Sequence, residues 1–169
     1  MLKEARYDGL LYRALNPVYA REPLSGRGAA IHGGRFNARG REALYLSLSP
    51  DVALREANQV GTLQPTTLVA YRANLRLVFD SHDRQTLAGY GMSADDLVAP
   101  DWRDRMLKRL HVPTQDFAER LLVDGFAGLL VRSFARGASP TALNLVLWRW
   151  NTGADDRLEV VDDEKRISH

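Results

Sequence analysis

Between Ser25 and Ser47 the chain interleaves glycine with arginine: Gly26, Gly28, Gly33, Gly34 and Gly40 alternate with Arg27, Arg35, Arg39 and Arg41. Glycine permits positive φ and lets a backbone approach a ligand closely. Arginine presents a planar, permanently charged fork of donors suited to phosphate or carboxylate oxygens. This composition predicts a loop, built to hold a polyanion. The stretch then runs into residues 43–48, Ala-Leu-Tyr-Leu-Ser-Leu, a strand-like run that pins the loop to a sheet.

The rest of the chain supplies a frame for such a loop. With 169 residues and 45% apolar content, one domain (1–169) with a real core is expected. No run of about 18 apolar residues predicts a spanning helix, and residues 1–8 lack the apolar core of a signal peptide. The sequence contains no cysteine, which excludes disulfides and thiolate metal sites. A cytoplasmic protein is the expectation. Charge is unevenly spread. Residues 1–49 hold eight Lys/Arg against four Asp/Glu, and residues 155–169 hold three against six. A basic front half suits a phosphate-bearing partner, and equally suits ordinary solvated surface.

Periodicity predicts strands at 10–15, 43–48, 66–74 with an extension to 80, 127–133, 144–150 and 158–161. Ser49, Pro50 and Asp51 form a helix start, with capping serine, proline at the first helical position and an early acid. That helix runs to about Val60, with Ala53, Ala57 and Val60 on its core face and Glu56 beside that stripe. Helical pieces follow at 83–89, 94–98, 101–110 and 114–123. Strands at both ends around a helical middle predict an α+β fold, with a central split sheet and flanking helices.

The glycine stretch matches neither G-x-x-x-x-G-K-[ST] nor a G-x-G-x-x-G run that opens a helix, so P-loop and Rossmann readings fall away. A phosphate ligand held by arginine side chains remains. NAD fits, with its pyrophosphate for cations and its nicotinamide for an aromatic surface; Tyr45 and Phe36 are the nearest rings. Departure of nicotinamide leaves a cationic, oxocarbenium-like ribosyl group, which a fixed carboxylate such as Glu56 would stabilise. Ser133, at the end of a buried strand, would orient the ligand by hydrogen bonding. From residue types alone, a solvated helix glutamate and a strand-to-turn serine stay open as readings. The four histidines show no ligand spacing, so no metal site is expected, although His32 beside Gly33 and Gly34 is a catalytic candidate.

The ordered set of these segments resembles the RES domain family, named for an arginine, a glutamate and a serine. The resemblance runs through Leu11-Tyr12-Arg13, Leu24-Ser25-Gly26, Gly28-Ala29 and Gly33-Gly34-Arg35-Phe36-Asn37. It continues with Leu44-Tyr45-Leu46-Ser47, Ala53-Leu54-Arg55-Glu56, Gly128 to Ser133, and Asn144 to Leu147. It implies the toxin of a bacterial toxin–antitoxin pair with an ADP-ribosyltransferase-like fold that consumes NAD and is held by a cognate antitoxin covering the site. The family's arginine, glutamate and serine fall on Arg35, Glu56 and Ser133. Arg13, Tyr45, Ser47, Phe36 and Gly34 complete the implied NAD-binding set. Many members have tryptophan at Phe36, and some have tyrosine at Ala14. The residue two before Glu56 is Leu54, so transfer to arginine through a Glu-x-Glu pair is not supported.

The reading is cleavage of the nicotinamide–ribose bond, with Arg13 and Arg35 on the pyrophosphate or an adjacent ribose and Tyr45 against the nicotinamide end. The acceptor of ADP-ribose is a protein, with NAD degradation by water or phosphate as the alternative. A small ribonuclease toxin using His32, Arg35 and Glu56 is a second class. A non-enzymatic regulatory module is a third, opposed by the lack of any nucleic-acid reader motif. No membrane partner is expected.

Overall fold

The computed structural model describes residues 6–59 and 62–167. In chain order the elements are β1 (Tyr7–Leu15), a short 3-10 turn (Pro17–Tyr19), α1 (Arg27–His32), β2 (Leu44–Ser47) and α2 (Pro50–Ala57). Strands β3 (Thr67–Leu75) and β4 (Val78–Asp80) follow. Next come α3 (Arg84–Gly89), α4 (Ala94–Val98), α5 (Trp102–Leu107) and α6 (Pro113–Val123). The chain closes with β5 (Gly128–Arg132), β6 (Leu143–Leu147) and β7 (Arg157–Val160). The fold is α+β.

All seven strands join one sheet in the order β4-β5-β6-β2-β1-β3-β7, with only β4 and β5 parallel. The sheet is continuous but thin at one seam. β1 pairs with β3 at nine successive positions, yet with β2 only at Tyr12 opposite Ser47. The expected split therefore takes the form of a seam between β1 and β2.

Alternation along the strands separates two apolar clusters. Leu44, Leu46, Leu145 and Leu147 join Leu11, Tyr71 and Leu75 in one. Val146, between Leu145 and Leu147, points to the other, where Phe79, Phe117, Phe126 and Leu121 gather under the helices. Phe79 meets Phe117 and Phe126 edge-on at centroid distances of 5.6 and 5.3 Å, the geometry aromatic quadrupoles favour.

Several boundaries differ from expectation for local reasons. Part of the glycine–arginine stretch is helical: α1 forms around Ala29, Ala30 and Ile31 and stops at Gly33, whose φ is +71° and whose N–H caps Ala29 O at 2.8 Å. α2 ends at Ala57, short of the expected end near Val60, which lies outside the described residues. Its N-cap is Ser49, but the Ser49 hydroxyl bonds Asp51 instead of a helix N–H. β6 stops at Leu147 because the N–H groups of Trp148 and Arg149 both turn to Ala127 O.

Candidate active site

The second half of the glycine–arginine stretch is a rigid rim. Gly34 and Asn37 bridge each other, with Gly34 N–H donating to Asn37 O at 2.8 Å. The three successive carbonyls of Gly34, Arg35 and Phe36 accept from three different side chains: Gln115 Nε2 at 2.9 Å, the Thr114 hydroxyl, and Trp148 Nε1 at 2.9 Å. Two of those donors open α6 and the third follows β6, so packing of the helical layer fixes the rim. Tyr45 closes it from β2. Its hydroxyl donates to Asn37 Oδ1 at 2.6 Å and accepts from Phe36 N–H at 3.1 Å. The residue as a whole is 37% exposed, while burial around the hydroxyl pushes the phenol pKa well up and keeps it protonated. Gly34 is required here, because a Cβ would lie 2.5 Å from the Tyr45 hydroxyl.

Two cavities of about 320 and 370 Å³ flank this rim and share three wall residues, Tyr45, Glu56 and Asn144. The first opens on the β1–β2 seam and includes Arg13, Tyr12 and Ser47. The second includes Gly34, Arg35, Phe36, Trp102, Arg103 and Phe134. They form one cleft with two lobes, Arg13 in the first, Arg35, Arg103 and Arg132 in the second, and a carboxylate between them. Arg13 and Arg35, both expected on the pyrophosphate or an adjacent ribose, line different lobes of this cleft.

Glu56 is held at both oxygens. Oε1 accepts from the Ser133 hydroxyl and from Asn144 Nδ2, the latter at 2.5 Å, and Oε2 accepts from Gln59 Nε2 at 2.6 Å. Asn144 in turn accepts from the Ser47 hydroxyl at 2.8 Å. Among the described residues every donor to the carboxylate is a neutral hydroxyl or amide, so the charge is oriented without being neutralised.

Arg35 is half-buried, and desolvation holds its pKa below the usual guanidinium range. Its Nη1 donates to Leu97 O at 3.1 Å and Ala99 O at 2.8 Å, at the end of α4. The guanidinium also lies 4.9 Å from the Phe134 ring centroid and 5.8 Å from that of Trp102. Nη1 is thereby committed to protein, and Nε and Nη2 make no hydrogen bond among the described residues.

The cleft brings together Arg13, Gly34, Arg35, Phe36, Tyr45, Ser47 and Glu56 of the residues expected from sequence. Of the other sequence candidates, Ser133 and His32 fall outside that set, and Phe36 sits at its edge. Ser133 is 2% exposed, and its hydroxyl serves Glu56 instead of facing the cleft. Phe36, also 2% exposed, gives most of its ring to the core. His32 is exposed and lines neither lobe. Asn144, Gln59 and Trp102 were missed as site residues. Asn144 had a legible signal: it is the polar residue inside an apolar strand and stands in register with Ser47. Among the described residues, no group of acidic and histidine side chains is arranged to hold a metal, and no helix is long and apolar enough to cross a membrane.

The family model of the RES domain matches residues 10–168. A search of curated proteins gives no match. Among solved structures, a chain of the M. tuberculosis MbcT–MbcA toxin–antitoxin complex is similar, with a TM-score of 0.66 and 20% identity. The alignment covers 93% of this chain and 83% of that one. The likeness at this identity is one of fold.

Proposed function

The chain belongs to the RES domain family, and on that premise we propose that it is the toxin of a bacterial toxin–antitoxin pair. It binds NAD, cleaves the nicotinamide–ribose bond and passes ADP-ribose to a cellular protein. The observation that carries this reading is Glu56, fixed at both oxygens where two arginine-bearing lobes meet. A dinucleotide has two ends and an anionic middle, and this cleft has two lobes with arginine on the wall of each. As nicotinamide leaves with the bonding electron pair, positive charge develops on the ribosyl carbon. A carboxylate already oriented toward that charge stabilises it without reorganising. Ser133 and Asn144 hold the carboxylate in place, Tyr45 offers its ring to the nicotinamide end, and Arg13 and Arg35 bind the phosphates and adjacent ribose from opposite sides.

The same cleft supports control by a partner. The MbcT–MbcA structure is a toxin–antitoxin complex, and we extend that kind of assembly to this chain. An antitoxin segment with an acidic group would pair with Arg13 and Arg35 and exclude NAD. The reaction is tested by incubating the purified protein with NAD labelled in the adenosine moiety, with and without cell extract, and following nicotinamide release and label on protein. Release together with label on a discrete protein is expected. Free ADP-ribose or its phosphate adduct would instead mean NAD degradation, and no release at all would overturn the enzymatic reading.

A further inference from the structure

Behind Glu56 lies a third cavity of about 470 Å³, lined by Asp51, Leu54, Arg55, Asn58, Gln59 and Arg136. Gln59 is the one residue common to this groove and the Arg35 lobe, and its side chain is the donor to Glu56 Oε2. The exposed Gln59 amide thus stands both on the wall of this groove and against the carboxylate. Arg55 on α2 and Arg136 on the turn after β5 are both exposed, and neither makes an ion pair among the described residues. Asp51, the groove's one acid, is engaged by the Ser49 hydroxyl and by backbone N–H groups at the start of α2. The groove therefore presents two exposed guanidinium groups against one carboxylate, with Arg55 partly offset by Asp51 one turn away and Arg136 without an ion pair among the described residues.

We propose that this groove is the acceptor-docking subsite, and that it takes an acidic protein segment whose side-chain carboxylate is the nucleophile. The inference rests on the NAD reading above. Arg55 and Arg136 would hold flanking acidic residues while one carboxylate passes Gln59. In the transfer step, a carboxylate oxygen forms a bond to the ribosyl C1′ as the bond from C1′ to the nicotinamide nitrogen breaks. The electron pair leaves with nicotinamide, which becomes neutral, and the acceptor's negative charge is consumed in the ester. No proton moves. That suits a passage guarded by an amide, since a lysine, arginine or serine acceptor needs a base to take its proton.

The test uses the whole protein with a fluorescein-labelled hexaglutamate peptide and labelled NAD. The wild type should bind the peptide in a salt-dependent manner and label it, and neutral hydroxylamine should remove the label. The R55E/R136E double variant should lose peptide binding and labelling by about ten-fold or more, as expected for losing charge-assisted contacts. Its nicotinamide release without peptide should stay at the wild-type rate. The R55K/R136K variant should retain most of both activities, which excludes misfolding as the cause. Equal peptide binding and labelling by wild type and R55E/R136E, or a hydroxylamine-resistant label, would overturn the proposal. If wild type releases no nicotinamide, the NAD reading fails, and the peptide-binding arm still decides whether the groove captures acidic chains.

Discussion

Ser47 and Asn144 face each other across β2 and β6, and the Ser47 hydroxyl donates to Asn144 Oδ1 at 2.8 Å. That bond sets which way the amide points and so turns Nδ2 toward Glu56. Ser47 is thereby a positioning residue acting through Asn144. Ser47→Ala removes one neutral hydrogen bond, of about 1 kcal/mol, so kcat for nicotinamide release should fall about five-fold with KM little changed. Asn144→Asp places a second carboxyl against Glu56, and two such groups this close share a proton. The variant should be nearly inactive at neutral pH and recover as pH falls, when the new carboxyl protonates and becomes a donor again. A pH–rate profile parallel to that of the wild type would remove Asn144 from the site.

Glu56→Gln keeps the size of the side chain and removes its charge. Loss of one preorganised electrostatic contact costs on the order of 100-fold or more in rate. NAD affinity, measured by calorimetry on the variant, should change far less than turnover. Undiminished turnover in a folded Glu56→Gln protein would exclude the role given to this carboxylate.

Arg35 spends Nη1 on two carbonyls and has Nε and Nη2 left for a ligand. Lysine keeps the charge but cannot do both, since its donors radiate from one nitrogen. Arg35→Lys should lower kcat/KM about ten-fold or more, whereas Arg27→Lys, at an exposed position on α1, should be silent. Equal small effects at the two positions would mark Arg35 as ordinary surface charge.

Gly34 and Gly28 predict opposite signs for the same substitution. A Cβ at Gly34 would meet Tyr45 and Asn37 oxygens at 2.5 and 2.6 Å, and these are already bonded to each other. Gly34→Ala should therefore destabilise by about 1–3 kcal/mol, lowering Tm by roughly 2–4 °C per kcal/mol. Gly28 has open space around its Cβ position and lies inside α1. Gly28→Ala should raise Tm, by about 0.5–1 kcal/mol of stability. Differential scanning calorimetry of the two variants checks both signs together.

What the sequence made legible follows from how local each signal is. Strand alternation in Leu44 to Ser47 and in Asn144 to Leu147 is local, and the strands lie where periodicity puts them. The α+β class follows from the order of such elements. α1 was hidden because glycine content outweighs three helix-compatible residues, Ala29, Ala30 and Ile31, in any short window. The site was legible in membership more than in roles. Arg13, Arg35, Tyr45 and Glu56 carry residue types that announce themselves, and all line the cleft. That Ser133 donates to Glu56 depends on a contact across 77 positions of sequence. Trp102 reads as the start of a helix because nothing near it in sequence reveals Arg35 above its ring.

The sheet order carries a consequence for how the molecule comes into being on the ribosome. Glu56 emerges early, but its partners Ser133 and Asn144 lie on the last part of the chain, at the end of β5 and on β6. Those two strands also stand between β4 and β2 in the finished sheet. A nascent chain that ends before Ser133 therefore has Arg13, Arg35 and the carboxylate but only Gln59 to hold that carboxylate, and no closed sheet to support the cleft. Competence arrives with the final strands rather than accumulating along the way. On the NAD reading proposed above, a chain truncated before β6 would lack the aligned carboxylate and with it the turnover.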